Sequence, residues 1–301
     1  MYRLLVHIHV YYIAAWPKIE TYLKNIIADS SCNVRIFVTV SNCIDDSKIY
    51  RIERSRIPNM SLLRVPNRGY DIEPFFYLLR SISLDSYDYI IKLHTKNVVR
   101  GIDINFNGRY LSRVQWPTFL FEAIAGSKKT FSKNIEILKN DKSLGMIASS
   151  YLISNVCYHQ DELCEKEIYE NYIKKLNAER IINPTYVAGT MFIARSDIFK
   201  PLVEAGLLSE VFEQSESRKL GDTKAHAVER LFGVLVALKG MKLQGFDKSR
   251  YKDLTTSTCA HAIKRFIFDK RITTNGRLLI RVFRIPIWNI KLKKKVLGLK
   301  P

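Results

Sequence analysis

The sequence lacks the features that mark several large classes of protein. Its five cysteines are scattered and no two have Cys-x-x-Cys spacing, which is evidence against a disulfide framework and predicts free thiols in a reducing cytoplasm. No apolar run approaches the roughly 18 residues that a membrane-spanning helix needs. The N-terminus does not resemble a signal peptide, and no internal repeat is present. We therefore expect a globular protein that stays in the cytoplasm.

Acidic residues are scarce relative to basic ones. The chain of 301 residues has 48 Lys and Arg against 29 Asp and Glu, a formal net charge of +19. Residues 261–301 hold 12 Lys or Arg and one acid, Asp269, so this segment alone carries +11. Such a balance predicts a polyanionic partner, which could be nucleic acid, an anionic membrane surface or a phosphorylated ligand.

Apolar, β-branched runs alternate with stretches of helical spacing along most of the chain. We predict strands at 4–10, 34–40, 62–65, 89–93, 144–148 and 186–194. We predict helices at 16–28, 72–81, 118–124, 131–139, 161–178 and 226–238, and a loop at 101–108. This alternation is typical of an α/β fold in which helices flank a mainly parallel sheet.

Polar clusters follow three of the predicted strands, at 41–46, 67–71 and 94–97. In parallel sheets, ligands bind in the crevice at the carboxyl ends of the strands. The sequence therefore predicts a ligand site where these clusters converge. His7 and His9 in the first strand could form a metal pair, but satisfied polar groups are the interpretation that we favour.

Four segments together resemble the rhamnan synthesis protein F family of bacterial polysaccharide glycosyltransferases. They are NRGYDIEPF at 67–75, YIIKLHTK at 89–96, AGTMFIAR at 188–195 and DTKAHAVER at 222–230. The resemblance covers about residues 1–250. It implies a GT-A-like (Rossmann-like) fold and transfer of a sugar, rhamnose by the family name, from a nucleotide-diphosphate donor to a lipid-linked surface polysaccharide or O-antigen.

One departure concerns the metal. Many GT-A enzymes hold a divalent cation with an Asp-x-Asp pair where this chain has His94-Thr95-Lys96. A cationic side chain could neutralise the donor diphosphate instead. A requirement for Mg²⁺ or Mn²⁺ is therefore left open, and we assign His94 and Lys96 to stabilisation of the departing diphosphate.

The donor site is also predicted to include Asn67, Arg68, Gly69 and Asp71. Gly69 would let the backbone approach the nucleotide, while Arg68 and the helix N-terminus favour phosphate. Asp71 could bind a ribose or a base edge. The alternative is that the segment is an ordinary turn and that Asp71 only caps the helix.

The catalytic candidates are Glu229, His226 and Asp222, in that order of preference. His226 and Glu229 are three residues apart and share a helix face, and an inverting transfer needs a base to take the acceptor proton. A solvated helix face is the alternative. Gly189 and Thr190 are assigned to an acceptor pocket, with a purely structural role as their alternative.

The basic C-terminal segment is predicted to be an amphipathic helix from Arg277 to Arg284 that lies on an anionic membrane. The membrane-binding residues would be Arg277, Arg281, Arg284, Trp288, Lys293, Lys294 and Lys295. The predicted domains are a transferase domain at 1–260, with a donor side at about 1–150 and an acceptor side at about 151–260, and a membrane-associating tail at 261–301.

The predicted location is therefore the inner face of the bacterial plasma membrane, and no nucleic-acid partner is expected. Two alternatives stay open at this point. The charge and the 34 aromatic residues would suit a nucleic-acid-binding protein, although no motif for one is present. The missing Asp-x-Asp pair would suit a non-catalytic scaffold of a polysaccharide-assembly complex.

Overall fold

The computed structural model describes residues 1–96, 103–106, 109–112, 116–156, 163–214, 224–245, 256–257, 267–272, 277–283 and 285–291. The strands are β1 (Tyr2–Val10), β2 (Cys32–Ser41), β3 (Met60–Val65), β4 (Tyr89–His94), β5 (Asp103–Phe106), β6 (Arg109–Ser112), β7 (Leu144–Ala148), β8 (Ile153–Asn155), β9 (Thr185–Val187), β10 (Phe192–Arg195), β11 (Lys242–Gly245), β12 (Thr256–Ser257), β13 (Phe268–Ile272), β14 (Arg277–Val282) and β15 (Ile285–Lys291). The helices are α1 (Trp16–Ile27), α2 (Asp46–Glu53), α3 (Ile72–Ser81), α4 (Trp116–Ala125), α5 (Lys128–Asn140), α6 (Leu163–Lys175), α7 (Lys200–Glu204) and α8 (Lys224–Leu238).

Contacts divide the chain into two units. The larger contains Met1–Asn97 and Phe119–Asp247, and the smaller contains Val98–Thr118 and Lys248–Pro301. The grouping of 98–118 with the C-terminal segment joins parts of the sequence that lie far apart. The domain boundary at residue 260 stays a prediction.

A seven-stranded sheet forms the centre of the larger unit, in the order β11-β7-β10-β4-β1-β2-β3. Strand β10 runs antiparallel to its neighbours β4 and β7, and every other neighbouring pair is parallel. The predicted α/β fold with a mainly parallel sheet is confirmed. The helix predicted over 72–81 has those bounds in α3.

Strands β1 and β4 lie in the middle of this sheet and are almost wholly buried. Side chains of the sheet, α3 and α8 meet in a core of aromatic rings, in which Phe75 lies 5.3 Å from Phe199, 6.0 Å from Phe232 and 6.4 Å from Phe192 by ring centroids. The edge-to-face angles of these pairs are the geometry that aromatic quadrupoles favour. The core therefore fixes α3 and α8 against the same region of the sheet.

The single strand predicted over 186–194 is wrong. The segment forms two strands, β9 and β10, which are separated by a turn where Gly189 has φ +87° and Thr190 has φ +49°. The apolar run indicated extended structure throughout, but left-handed residues cannot continue a strand. The turn carries two of the predicted site residues.

Helix α8 packs directly on the backbone of β9. A Cβ atom at Gly233 would lie 1.7 Å from the carbonyl oxygen of Thr185, which no side chain could tolerate. Glycine at this position therefore allows the close approach of α8, the helix that carries Glu229.

The smaller unit contains two antiparallel sheets, in the orders β12-β6-β5 and β13-β14-β15. The predicted loop at 101–108 is wrong for 103–106, which form β5 and pair with β6. The helix predicted over 277–284 is also wrong, because 277–282 form β14 between β13 and β15. Leu278, Ile280 and Val282 alternate as in a strand, and Phe283, with φ +48°, makes the turn to β15.

The predicted membrane-binding residues are only partly described. Arg277 and Arg281 lie on β14 and Trp288 lies on β15. Arg284, Lys293, Lys294 and Lys295 lie outside the described residues. Among the described helices, none has both the length and the apolar character needed to cross a bilayer.

Candidate functional site

A row of polar side chains lies on one face of β1 and β4, near their carboxyl ends. The strand register places His7 opposite Lys92 and His9 opposite His94. All four residues are buried. Since these strands are otherwise apolar, so many buried polar groups require partners from the segments packed above the sheet.

The partners of Lys92 lie just before α3 and in the turn before β10. Its ammonium donates hydrogen bonds to Oδ2 of Asp71, to the Thr190 hydroxyl at 2.9 Å and to the Thr190 carbonyl oxygen at 3.3 Å. An ammonium has three hydrogens to donate, and these contacts use all of them. Burial lowers the pKa of Lys92, while Asp71 favours the charged form and opposes the shift.

Asp71 accepts hydrogen bonds from both Lys92 and Thr190, since the Thr190 hydroxyl also donates to Oδ2 of Asp71 at 2.5 Å. Burial alone would raise the pKa of Asp71, but the ammonium groups of Lys92 and Lys96 and the hydrogen bond from Lys92 hold it well below its usual range. Asp71 precedes α3, yet its side chain makes no capping hydrogen bond to the helix. The alternative that Asp71 is only a helix cap is therefore wrong.

His94 is buried beside this cluster. Its Nδ1 lies 3.4 Å from Oδ2 of Asp71, and neither ring nitrogen has a hydrogen-bond partner among the residues that the structure describes. Burial lowers the pKa of His94 well below its usual value, so the ring is neutral near pH 7. A neutral ring cannot supply a positive charge to a ligand.

His7 and His9 share one hydroxyl group. Nε2 of His7 lies 2.9 Å, and Nδ1 of His9 3.1 Å, from Oγ1 of Thr39. Burial lowers the pKa of His9 to about 4 and that of His7 well below its usual value. The contacts with Thr39 agree with the interpretation as satisfied polar groups for these two nitrogens, whereas Nδ1 of His7 has no hydrogen-bond partner among the described residues. Over the ranges that the structure describes, no group of three or more His, Cys, Asp or Glu side chains is placed to hold a metal ion.

Glu229 lies on α8 and faces the turn before β10. The main-chain N–H of Gly189 donates to Oε1 of Glu229 at 2.5 Å. Burial raises the pKa of Glu229, while Lys96 and the Gly189 hydrogen bond act in the opposite direction. Glu229 and Asp71 also influence each other's charge, so the two carboxylates belong to one electrostatic cluster. A carboxylate with a raised pKa is suited to general-base chemistry.

His226 lies on the same helix, and its ring centroid is 5.8 Å from that of Tyr70, the residue before Asp71. His226 therefore also faces the loop that ends in Asp71. Asp222, the third catalytic candidate, lies outside the described residues.

The loop before α3 is tied to the segment before residue 215. Gly69 donates its N–H to the Glu213 carbonyl oxygen at 2.9 Å, and its φ of +58° is in the left-handed region. Arg68 and Gln214 form an isolated β-bridge, and Arg68 pairs with the buried Glu73 at 2.7 Å. Arg68 is thus engaged by a carboxylate in the first turn of α3.

Thr95 joins the ends of β1 and β4. Its hydroxyl accepts hydrogen bonds from the main-chain N–H groups of Tyr11 at 2.9 Å and Tyr12 at 3.0 Å. Its own N–H donates to the His9 carbonyl oxygen at 2.9 Å. Because Thr95 is held by both strands, the main chain of the next residue, Lys96, is also fixed relative to both. Lys96 itself is partly exposed.

The structure brings together six residues from four separate segments of the sequence: Asp71, His94, Lys96, Gly189, Thr190 and Glu229. Sequence reasoning missed Lys92, which we had read only as part of a strand. The signal was present, because a lysine within the apolar run Ile-Ile-Lys-Leu needs a buried partner. That partner could not be identified from the sequence.

Two comparisons concern the sequence. A family model described as rhamnan synthesis protein F matches residues 1–241. Two curated relatives from strains of Xanthomonas campestris pv. campestris, both described as uncharacterized protein WxcX, are 26% identical over 177 residues, which is 59% of this chain and 24% of the relative. The match therefore spans about a quarter of the length of those relatives.

Solved structures provide a third comparison. S. aureus TarS residues 1–349 with UDP-GlcNAc has a TM-score of 0.42 and 12% identity, and covers 82% of this chain and 56% of its own. Mannosyltransferase PcManGT from Pyrobaculum calidifontis with GDP-Man and Mn²⁺ has a TM-score of 0.40 and 13% identity, and the match covers 81% of this chain and 55% of the mannosyltransferase. Glucosyl-3-phosphoglycerate synthase from Mycobacterium tuberculosis with Mn²⁺, UDP and phosphoglyceric acid has a TM-score of 0.37 and 11% identity, and the match covers 96% of this chain and 89% of the synthase. The ligands named here belong to those proteins.

Proposed function

Because the chain belongs to the rhamnan synthesis protein F family, we propose that it is a glycosyltransferase that moves one sugar from a nucleotide-diphosphate donor to a glycan acceptor. The observation that carries this proposal is the cluster of Asp71, Lys96 and Glu229 at the carboxyl ends of the central strands. It supplies a cation for the donor diphosphate and a carboxylate base for the acceptor within one site. The mainly parallel sheet agrees with the GT-A-like architecture that the family implies.

Lys96 is the residue that we propose for the diphosphate. An ammonium beside the departing diphosphate stabilises the charge that develops as the bond to the sugar breaks. His94 takes a different part from the one that its position in the sequence indicated. Because its ring is neutral, we assign it a hydrogen bond to the donor rather than charge neutralisation, and we assign Asp71 to the ribose or base edge.

The same residues bear on whether the proposed transfer depends on a divalent metal ion. Among the side chains that the structure describes, the end of β4 and the residues that follow it offer His94 and Lys96 rather than a pair of carboxylates, and no complete metal-binding group is formed. We therefore derive no step through a metal ion. Dependence on Mg²⁺ or Mn²⁺ stays a prediction to be measured.

Glu229 is the proposed general base. The acceptor hydroxyl attacks the anomeric carbon, its proton passes to the Glu229 carboxylate, and the bond from the sugar to the diphosphate oxygen breaks. Gly189 orients the carboxylate through Oε1. Burial strengthens it as a base, since the raised pKa is closer to that of the proton donor. His226, three residues earlier, is the alternative base.

The finer identity of the substrates rests on the family name. We propose a rhamnose donor and a lipid-linked polysaccharide or O-antigen acceptor at the inner face of the plasma membrane. The +11 charge of residues 261–301 supports attachment to anionic lipid. The full chain should sediment with anionic phosphatidylglycerol vesicles, but not with neutral phosphatidylcholine vesicles, and salt should release it. Equal binding to both vesicles would contradict this part of the proposal.

The central test is a screen of nucleotide sugars with and without Mn²⁺, by thermal shift and by release of the nucleoside diphosphate. We expect at least one nucleotide sugar to stabilise the protein and to be hydrolysed or transferred. A purified chain that binds nucleotide sugars but neither hydrolyses nor transfers them in the presence of glycan acceptors would favour the scaffold alternative. Binding of nucleic acid without binding of nucleotide sugars would favour the alternative of a nucleic-acid-binding protein.

A further inference from the structure

Lys92 has no place in the proposed transfer, because its side chain is wholly inaccessible to solvent in the middle of β4. It nevertheless lies directly beneath the site. Its ammonium is 5.7 Å from the ring centroid of Phe75 and 6.0 Å from that of Phe232. A cation in these surroundings is a costly choice, since replacing a buried ion pair with apolar residues is often neutral or stabilising. The residue therefore needs an explanation beyond stability.

The contacts of Lys92 join two separate parts of the site. One partner, Asp71, precedes α3, and the other, Thr190, precedes β10. Lys92 binds Thr190 through both the hydroxyl and the carbonyl oxygen. These two bonds fix the orientation of the Thr190 side chain and of the peptide unit that follows it.

This orientation extends to Glu229. Thr190 has φ +49°, which a β-branched residue rarely adopts, and its bonds to Lys92 and Asp71 hold it there. The preceding residue, Gly189, is also left-handed, and in this turn its N–H points at Oε1 of Glu229. Hydrogen bonds thus join Asp71 and Lys92 to Thr190, and another joins Gly189 to Glu229; the covalent bond between Gly189 and Thr190 connects the two sets.

We propose that Lys92 is a positioning residue for sugar transfer, which sets the distance between the donor-side carboxylate Asp71 and the acceptor-side carboxylate Glu229 without contacting either substrate. The inference rests on the proposed function and adds a residue to it. Removing the ammonium would release the Gly189 turn and let the Glu229 carboxylate rotate. A misplacement of about 1 Å in a reacting group can lower a rate about 100-fold.

The first test compares Lys92→Met with Lys200→Met. Lys200 pairs with Asp85, which precedes β4, so its loss controls for removal of a lysine from an ion pair away from the site. We expect Lys92→Met to lower kcat by about 100-fold at saturating substrates and to displace the acid limb of the pH profile. Lys200→Met should change neither. A folded Lys92→Met with wild-type kcat and pH profile would overturn the proposal.

A second variant covers the case in which Lys92→Met does not fold. Thr190→Val keeps the shape of the side chain and the ion pair between Lys92 and Asp71, and removes the hydroxyl, which is one of the two Thr190 groups that bind Lys92. We expect a folded protein with a lower melting temperature, because buried Lys92 and Asp71 each lose a hydrogen bond, and a reduced kcat. Unchanged kcat in the folded variant would also overturn the proposal.

A spectroscopic measurement separates this inference from the proposed function. The chain has 13 glycines, so ¹⁵N-glycine labelling gives a simple amide spectrum in which Gly189 can be followed. In the wild type the Gly189 amide should titrate with Glu229, and in Thr190→Val or Lys92→Met it should shift, whereas Lys200→Met should leave it in place. An inactive wild type with these shifts would contradict the proposed function alone. An active wild type without them would contradict the positioning role alone.

Discussion

The amide of Gly189 donates a hydrogen bond to the carboxylate of Glu229 at 2.5 Å, across 40 residues of sequence. The bond joins the turn before β10 to helix α8. It holds the proposed base in one orientation while burial raises the pKa of Glu229. The base is therefore fixed both in position and in strength before any substrate binds.

Glu229→Gln should abolish most transfer while leaving nucleotide binding intact. Glutamine keeps the shape and can still accept the Gly189 hydrogen bond, but it cannot take a proton, and loss of a general base costs about 10²- to 10⁴-fold in rate. Because the pKa of Glu229 is raised above 4.5, activity of the wild type should fall as the pH drops through that higher value. The measurements are kcat against pH and nucleoside-diphosphate affinity by calorimetry.

The matched control for this variant is His226→Gln, which removes the alternative base from the same helix. We expect it to keep the acid limb of the profile. If His226→Gln loses that limb and Glu229→Gln retains it, the two roles are reversed.

Lys96→Ala should weaken binding of the nucleoside diphosphate. A hydrogen bond to a charged group contributes about 1.5–3 kcal/mol, which corresponds to a loss of affinity of roughly 10- to 100-fold. The effect should shrink at high salt, because the side chain is partly exposed. Calorimetry with UDP and GDP at two salt concentrations would measure it, and a free nucleoside without phosphates should bind both proteins equally.

Asp71→Asn should destabilise the fold near neutral pH. It leaves the buried Lys92 ammonium unpaired, and breaking a buried pair costs about 3–5 kcal/mol. Because the pKa of Asp71 is held well below 3.8, its contribution to the free energy of unfolding is present above that value and is lost as the pH falls towards the lower pKa. Urea unfolding at several pH values should therefore show a flatter acid side for the variant.

The double variant Asp71→Asn with Lys92→Met removes both charges together. It should recover most of the lost free energy of unfolding, since no charge is left unpaired. Strictly additive losses from the two single variants would show that the ion pair is not the source of the instability.

Gly69→Ala should destabilise the protein more than Gly240→Ala. Both glycines are left-handed, with φ +58° and +64°, and a Cβ atom in that region costs about 1 kcal/mol. At Gly69 the new Cβ would also lie 2.7 Å from Cγ of Phe212, whereas at Gly240 nothing lies within 4 Å. Overpacking adds about 1–3 kcal/mol, so thermal unfolding should separate the variants, and equal shifts would contradict the packing argument.

The sheet and α3 could be predicted because their signals are local. Apolar, β-branched runs are typical of buried parallel strands, and the polar residues that follow each run predict a shared rim. That reasoning also selected Asp71 and Lys96 as candidates, whereas Glu229 was selected from the family resemblance and its spacing from His226 on one helix face. Their gathering follows from topology, since parallel strands bring their carboxyl ends to one edge of the sheet.

The errors come from contacts that are distant in sequence. Lys92 is 21 residues from Asp71 and 98 from Thr190, so nothing beside it in the sequence shows that its charge is satisfied. The same contact interrupts the strand predicted over 186–194. At 277–282, the apolar residues fit a helix or a strand, and pairing with 268–272 and 285–291 decided for the strand.

The hydroxyl of Thr95 gives the chain after β1 a fixed course, because it accepts from two successive amides, those of Tyr11 and Tyr12. The loss of conformational entropy needed to order Tyr11 and Tyr12 therefore occurs during folding and not when a ligand binds. A ligand that binds at this end of the sheet would not have to order the main chain of Tyr11 and Tyr12, so more of its contact energy would be retained as affinity.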